Sequence, residues 1–222
     1  MRESPFRPEH FARIDETADA EFYASPRLVV HIDEGAIAEA GRLYAEMLTP
    51  GSAVLDLMSS WRSHVPDDFP LDELTGLGMN AVEMEENPRL TNHVVHDLNV
   101  EPRLPFEAER FDGVILTVSV QYLIHPLEVF ADVHRVLRPG GPFIVTFSNR
   151  CFPTKAVAVW RALDDRGHID LVGAYFRCSA AWSVLRARDR SQPGGVSDPL
   201  FAVSATKPMP SAAAIEPAPE ST

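Results

Sequence analysis

Basic residues are scarce in this chain: 20 Lys and Arg stand against 32 Asp and Glu, a formal net charge of -12. A protein that grips nucleic acid needs clustered cations to displace counterions from phosphates. The one basic cluster here is Arg186, Arg188 and Arg190, so no nucleic-acid partner is expected. Cysteine is scarcer still. Cys151 and Cys178 lie far apart with no CxxC spacing, which excludes a disulfide framework and a cysteine-rich zinc site and fits a reducing compartment. The histidines form no HxxxH or HxH pair, and His93 and His96 flank a strand and not a helix face, so no metal site is expected. No apolar run approaches the roughly 20 residues that cross a bilayer. The opening MRESPFRPEHFARID is polar where a secretory signal has an apolar core. The expectation is a cytoplasmic protein without a membrane partner; the sequence is silent on oligomeric state.

What remains is a globular composition, 45% hydrophobic and 23% charged over 222 residues, enough for one ordinary domain with a continuous core. Three zones separate. Residues 1–50 form a polar, partly helical lead-in, in which Ile37, Ala40, Tyr44, Met47 and Leu48 recur at helical spacing after Asp33, a candidate N-cap. Thr49-Pro50-Gly51 stops that helix. Residues 51–206 alternate apolar runs with helical periods. The tail 207–222, rich in Pro, Ala and Ser, lacks the apolar surface to order itself.

In the middle zone, Ala53 to Leu57 predicts a first strand, Leu74 to Met79 a second and His93 to Asp97 a third. Phe111 to Val118 is the clearest, apolar and β-branched, as a strand buried on both faces of a parallel sheet must be. Pro126 opens a helix with Leu127, Phe130, Val133 (or His134) and Leu137 on its apolar stripe, and Arg138-Pro139-Gly140-Gly141 ends it. Pro142 to Phe147 predicts strand five. Helical stretches follow around 156–163 and 168–176, then two strands, Trp182 to Arg188 and Leu200 to Thr206, joined as a hairpin by a loop with Gly194-Gly195. The order predicts an α/β fold: a doubly wound, mostly parallel sheet with an antiparallel C-terminal hairpin strand and helices on both faces. Such sheets bind ligands beyond the carboxyl ends of their strands.

Those ends read Asp56-Leu57-Met58-Ser59-Ser60, Gly78-Met79-Asn80, Asp97-Leu98-Asn99 and Ser119-Val120-Gln121-Tyr122. With Leu104-Pro105-Phe106 ahead of Phe111-Asp112, and with the Leu137-Arg138-Pro139-Gly140-Gly141 turn, the chain resembles the class I methyltransferases that use S-adenosylmethionine. It is most similar to the small-molecule group called type 11. The resemblance covers residues 51–150, more weakly to 206. It implies a Rossmann-like, seven-stranded sheet and a cofactor lying across the strand ends. Asp56 would sit near the cofactor's amino-acid part, with Leu57, Met58, Ser59 and Ser60 around it. Asp97 would receive the adenine amino group, Leu98 would pack on the ring and Asn99 would lie beside it. Ser119 and Val120 would border the methyl sulfonium.

Two departures from the family pattern stand out. The first loop, Met58 to His64, holds no glycine, although glycine normally lets this backbone close on the cofactor. The second strand ends in Gly78, followed by Met79 and Asn80, where the family usually places a ribose-binding acid. The Asp56-to-Trp61 loop and the Gly78-Met79-Asn80 end resemble those of a variant subgroup. Asn80 could hold the ribose, or cap a helix with Glu83 three residues on; the two roles are compatible. Candidate catalytic groups are Tyr122, unless it is a core tyrosine, and His64, unless it lies at the surface or caps a helix. Tyr23 and His31 in the lead-in, Trp61, Tyr122, and Asn149 and Arg150 after strand five are candidate substrate contacts. His125 reads as a helix start. Arg186, Arg188 and Arg190 read as the guarded face of an edge strand.

The leading expectation is thus methyl transfer to a small molecule. The alternative from another class is a non-catalytic protein that keeps the fold for binding or scaffolding. A nicotinamide oxidoreductase is disfavoured, because no GxGxxG follows the first strand.

Overall fold

The computed structural model describes residues 5–210. The lead-in contains a single helical turn, α1 (Asp19–Phe22), and then α2 (Glu34–Met47). Asp33 caps α2, its carboxylate accepting from the Ala36 N–H at 2.9 Å. The elements that follow are β1 (Ser52–Leu57), β2 (Leu71–Gly78), α3 (Ala81–Glu85), β3 (Asn92–Val95), β4 (Gly113–Thr117), α4 (Pro126–Val136), β5 (Pro142–Phe147), α5 (Ala158–Arg161), α6 (Asp165–Ser179), β6 (Ser183–Asp189) and β7 (Phe201–Thr206).

The strands form one seven-stranded sheet in the order β3-β2-β1-β4-β5-β7-β6. The first five are parallel, while β7 inserts antiparallel between β5 and β6. This is the doubly wound architecture expected, and the strand order reverses between β1 and β4. Alternation along the strands sorts their side chains onto two faces. Val54, Ile115 and Ile144 pack with Ile37, Ala40, Leu43 and Tyr44 of α2. Their neighbours Leu55, Val114, Leu116, Phe143 and Val145 pack with Val129, Phe130 and Val133 of α4 and Val172 and Phe176 of α6. Burying each of the Val, Leu, Ile and Phe side chains among these stabilises the fold by about 1.5–3 kcal/mol.

Several boundaries differ from expectation. β2 starts at Leu71, because Leu71 pairs with Ser52 and Glu73 with Ala53 across a register shift at Asp72, a stretch too polar to read as strand. β4 ends at Thr117, because Val118 turns to a φ of 45°. Phe111 joins β4's neighbourhood only through a bridge to Leu137. The helix expected at 156–163 is the single turn α5. The tail reading falls mostly on residues 211–222, outside the described residues. At its start, Lys207 Nζ donates to the Leu137 carbonyl at 2.7 Å.

β6 forms one sheet edge. Arg188 and Arg190 do guard it, but by pairing with α2: Arg188 with Glu46 at 3.0 Å, Arg190 with Glu39 at 3.2 Å and with Glu46 at 2.9 Å. Val184 takes a φ of 52° at a register shift between Ser183 and Arg186, an irregularity that spoils the edge as a template for another strand.

Candidate functional site

A cavity opens beyond the carboxyl ends of β1, β2, β3 and β4, where such sheets take ligands. Its floor is the loops after those strands. Its roof is the lead-in, whose Asp19, Tyr23, Arg27 and His31 all face it.

The first loop and the second strand end are one structure. Ser59 N–H donates to the Leu77 carbonyl at 2.8 Å, and Ser60 Oγ donates to Glu83 Oε2 of α3 at 2.6 Å. This draws the loop over β2. A Cβ built on Gly78 would lie 2.2 Å from the Ser59 carbonyl oxygen, a separation no side chain tolerates. The residue at this position is glycine because the loop occupies the space an acidic side chain would need. The loop lacks glycine at a price in backbone strain. Met58 has a φ of 56°, and Val118 at the next strand end has 45°, each costing about 1–2 kcal/mol in the left-handed region. Such strain gathers at functional sites.

Asp56 sits at the base of the loop, 4% exposed. Ser59 Oγ donates to its Oδ2 at 2.7 Å and Ser63 Oγ at 2.5 Å. Burial pushes its carboxyl up to about 6, the two serines only partly offsetting it. His64 is likewise buried. Desolvation, helped by the charge of Arg62 and by His31, lowers its imidazole to about 4, so it is neutral at physiological pH. Its Nδ1 has no hydrogen-bond partner.

Asn80 caps α3, its Oδ1 accepting from the Glu83 N–H at 3.2 Å. Its Nδ2 donates to the carbonyls of Tyr23 at 2.9 Å and Ala24 at 3.3 Å, so the amide is engaged with the roof. After β3, Asp97 Oδ1 accepts from Asn99 N–H at 2.9 Å. Asn99 Nδ2 donates both to Asp19 Oδ2 at 2.7 Å and to the Tyr122 carbonyl at 2.9 Å. Tyr122 Oη accepts from the Phe152 N–H at 2.8 Å, and burial pushes its phenol up to about 12. Trp61 Nε1 donates to the Val29 carbonyl at 2.8 Å, and the His31 ring meets Phe152 edge-on at 5.2 Å.

The roof is latched by buried charges. Arg13 Nη1 donates to both oxygens of Asp19, at 2.7 and 2.8 Å. Lys155 Nζ, fully buried, lies 3.2 Å from Asp19 Oδ1 and donates to the Thr17 carbonyl at 2.6 Å. Burial alone would raise the Asp19 carboxyl, but hydrogen bonds from Asn99 and Arg13 and the nearby cations hold it below the ordinary range.

Of the residues singled out from sequence, Asp56, Met58, Ser59, Ser60, Gly78, Met79, Asn80, Asp97, Leu98, Asn99 and Ser119 border the cavity. So do Tyr23, His31, Trp61, His64 and Tyr122. Leu57 and Val120 lie in the core beneath it. Asn149 and Arg150 are exposed and away from it, Arg150 Nε pairing with Asp198 at 3.0 Å. Asp19, Arg27, Glu83 and Phe152 border the cavity without having been singled out. A signal for Glu83 was present in its spacing from Asn80; the others sit in stretches with no readable period.

Residues 73–145, about a third of the chain, match the family model described as a methyltransferase domain. The chain is 32% identical over 116 residues to a malonyl-[acyl-carrier protein] O-methyltransferase of Marinomonas sp. (strain MWYL1), covering 51% of this chain and 40% of that protein. It is 26% identical over 132 residues to the enzyme of that name from Salmonella typhimurium, covering 58% and 49%. The chain thus spans less than half the length of the curated relatives it matches. Among solved structures, the [4+2]-cyclase SpnF superposes with a TM-score of 0.58 at 16% identity, over 85% of this chain and 91% of that one. Phosphoethanolamine N-methyltransferase 2 of Haemonchus contortus, in complex with S-adenosyl-L-methionine, superposes with 0.54 at 13%, over 77% and 52%. These likenesses show the fold. From β2 to β5 the chain is thus similar to the methyltransferase-domain family, and its strand order is the fold it shares with these neighbours.

Proposed function

We propose that this chain transfers a methyl group from S-adenosylmethionine to a small molecule held between the strand ends and the lead-in. The observation that carries this reading is the strand-end cavity, lined by acceptors at β1 and β3 and roofed by the chain's own N-terminal segment. The donor set suits the cofactor. Asp56 and Asp97 are carboxylates placed for amino groups, Leu98 offers an apolar face, and the unpartnered His64 Nδ1 awaits a polar group. In this reading Asp56 and the Met58–Ser60 loop hold the amino-acid end. Asp97, Leu98 and Asn99 hold the base, and Ser119 lies toward the acceptor. Glu83, buried in the cavity wall next to Ser60, supplies a carboxylate near the end of β2, where the usual strand-end acid is lacking.

When bound, the cofactor supplies a methyl already activated by its sulfonium. The chain's part is to align the acceptor and exclude water, an effect reaching several kcal/mol. Tyr122 orients the roof: its hydroxyl accepts the Phe152 N–H, and a phenol at about 12 takes no proton at neutral pH. His64, at about 4, is a weak base. Both favour an acceptor that needs no strong general base. The reading for small acceptors also fits the closed roof, and no helix among the described residues is long and apolar enough to cross a membrane.

A second reading keeps the cofactor pocket but not the methyl transfer, as a structural neighbour that is a [4+2]-cyclase illustrates. Calorimetric titration with S-adenosylmethionine and S-adenosylhomocysteine tests the first step common to both. Micromolar binding that is lost in Asp97→Ala is expected. Absence of binding at millimolar ligand overturns the cofactor assignment and favours a scaffold. Methyl transfer itself is then read with tritiated cofactor against pooled small-molecule acceptors.

A further inference from the structure

We infer that Arg27 forms a carboxylate-binding subsite in the cavity roof, so that the acceptor is a small acid with an apolar body. That such an acid accepts a methyl group rests on the methyl-transfer reading; the subsite itself does not.

Arg27 lies in the stretch between α1 and α2 and is held from several sides. Its backbone N–H donates to Glu83 Oε1 at 2.7 Å, and its Nη2 donates to the Phe22 carbonyl at 2.6 Å. Its guanidinium carbon stands 4.5 Å from the Phe22 ring centroid, 5.7 Å from that of Tyr23 and 5.9 Å from that of Phe152. The plane of the guanidinium is therefore fixed before any ligand arrives. Nη1 is shielded from solvent and has no hydrogen-bond partner. No ion pair joins Arg27 to a carboxylate among the described residues. The two acids nearest in the cavity wall are already engaged: Asp19 by Arg13, Lys155 and Asn99, and Glu83 by Ser60 Oγ and the Arg27 backbone itself.

A buried N–H without an acceptor is costly to leave unmade, and a guanidinium is the group that matches a carboxylate with paired N–H bonds. A cationic or neutral ligand would leave that charge uncompensated. Asp19 and Glu83 repel a doubly charged phosphate more strongly than a singly charged carboxylate, which one guanidinium balances. Phe22, Tyr23 and Phe152 around the guanidinium, with Val29 and Val30 on the same roof, supply apolar surface for the rest of the molecule.

The test uses the full chain, saturated with S-adenosylhomocysteine, titrated with benzoate, phenylacetate and hexanoate, with their amides, and with phenyl phosphate. Wild type is compared with Arg27→Gln and with Arg27→Lys, which keeps the charge and loses the paired geometry. At least one acid should bind wild type about tenfold or more tightly than Arg27→Gln, with Arg27→Lys between them. The amides should bind the three proteins alike, and S-adenosylhomocysteine affinity should be the same in all three. Unchanged acid binding in both variants, no saturable binding of any acid to wild type, or preference for phenyl phosphate overturns the proposal. So does a parallel loss of S-adenosylhomocysteine affinity, which would put the guanidinium on the cofactor. If wild type binds no S-adenosylhomocysteine, the same titration without it still reads Arg27, so the two failures are distinct.

Discussion

Asp56→Asn should stabilise the ligand-free protein, and only above a defined pH. The carboxyl is buried and its folded pKa is raised from an ordinary 3.8 to about 6. A raised carboxyl contributes stability that is fully present below the unfolded value and lost as pH rises through the folded one. Below pH ~4 the group is neutral folded or unfolded, and Asn resembles it. Above pH 6 the folded state carries a buried charge, and the difference between the folded and unfolded values makes that charge cost roughly 3 kcal/mol of stability. Asn keeps an oxygen for Ser59 Oγ and Ser63 Oγ, which both donate to the same carboxylate oxygen, and carries no charge. At about 2–4 °C per kcal/mol for a chain of this size, the variant should melt about 6–12 °C higher at pH 8 and nearly level with wild type at pH 4. Urea and thermal unfolding of both proteins from pH 4 to 8 read this directly. A difference that stays flat across that range refutes the reasoning. The same variant should bind S-adenosylmethionine more weakly, the stabilised form having lost the charge proposed to meet the cofactor's amino group.

Gly78→Ala drives a methyl into the Ser59 carbonyl and should cost about 1–3 kcal/mol in urea unfolding, with loss of S-adenosylhomocysteine binding. Lys155→Met removes one of the two cations on Asp19 and the donor to the Thr17 carbonyl, and should cost about 3 kcal/mol; limited proteolysis should then cut faster within residues 13–31. Because the Asp19 carboxyl is held low, its contribution is present at neutral pH and fades as pH falls through the folded value, so wild type should show the same roof cleavage only in acid. Tyr122→Phe leaves the Phe152 N–H without its acceptor, costing about 1–3 kcal/mol, while S-adenosylhomocysteine affinity, read by calorimetry, should hold.

The sheet was legible because its strands announce themselves. Val114 to Leu116 and Phe143 to Val145 are apolar, β-branched-rich runs, each following a Gly or Pro, and Asp33 and Asn80 stand at helix starts with their capping geometry implied. The strand-end loops followed from the topology. Of the roof only Tyr23 and His31 were legible; the rest was not, because residues 24–32 have no regular structure and so no period. What fixes them is contact over long chain distance: Arg27 on Glu83, Asp19 on Asn99 and Lys155. No local pattern reports such pairs. The same holds for Gly78, whose glycine reads from sequence as a lost acid. Only the position of the Ser59 carbonyl shows that the acid had no room.

That last contact also constrains how the protein can change. The loop at Met58 to Ser60 is tolerable only with glycine at position 78. An acid placed at position 78 alone meets the Ser59 backbone. Such an acid therefore needs a simultaneous change in the 58–60 loop.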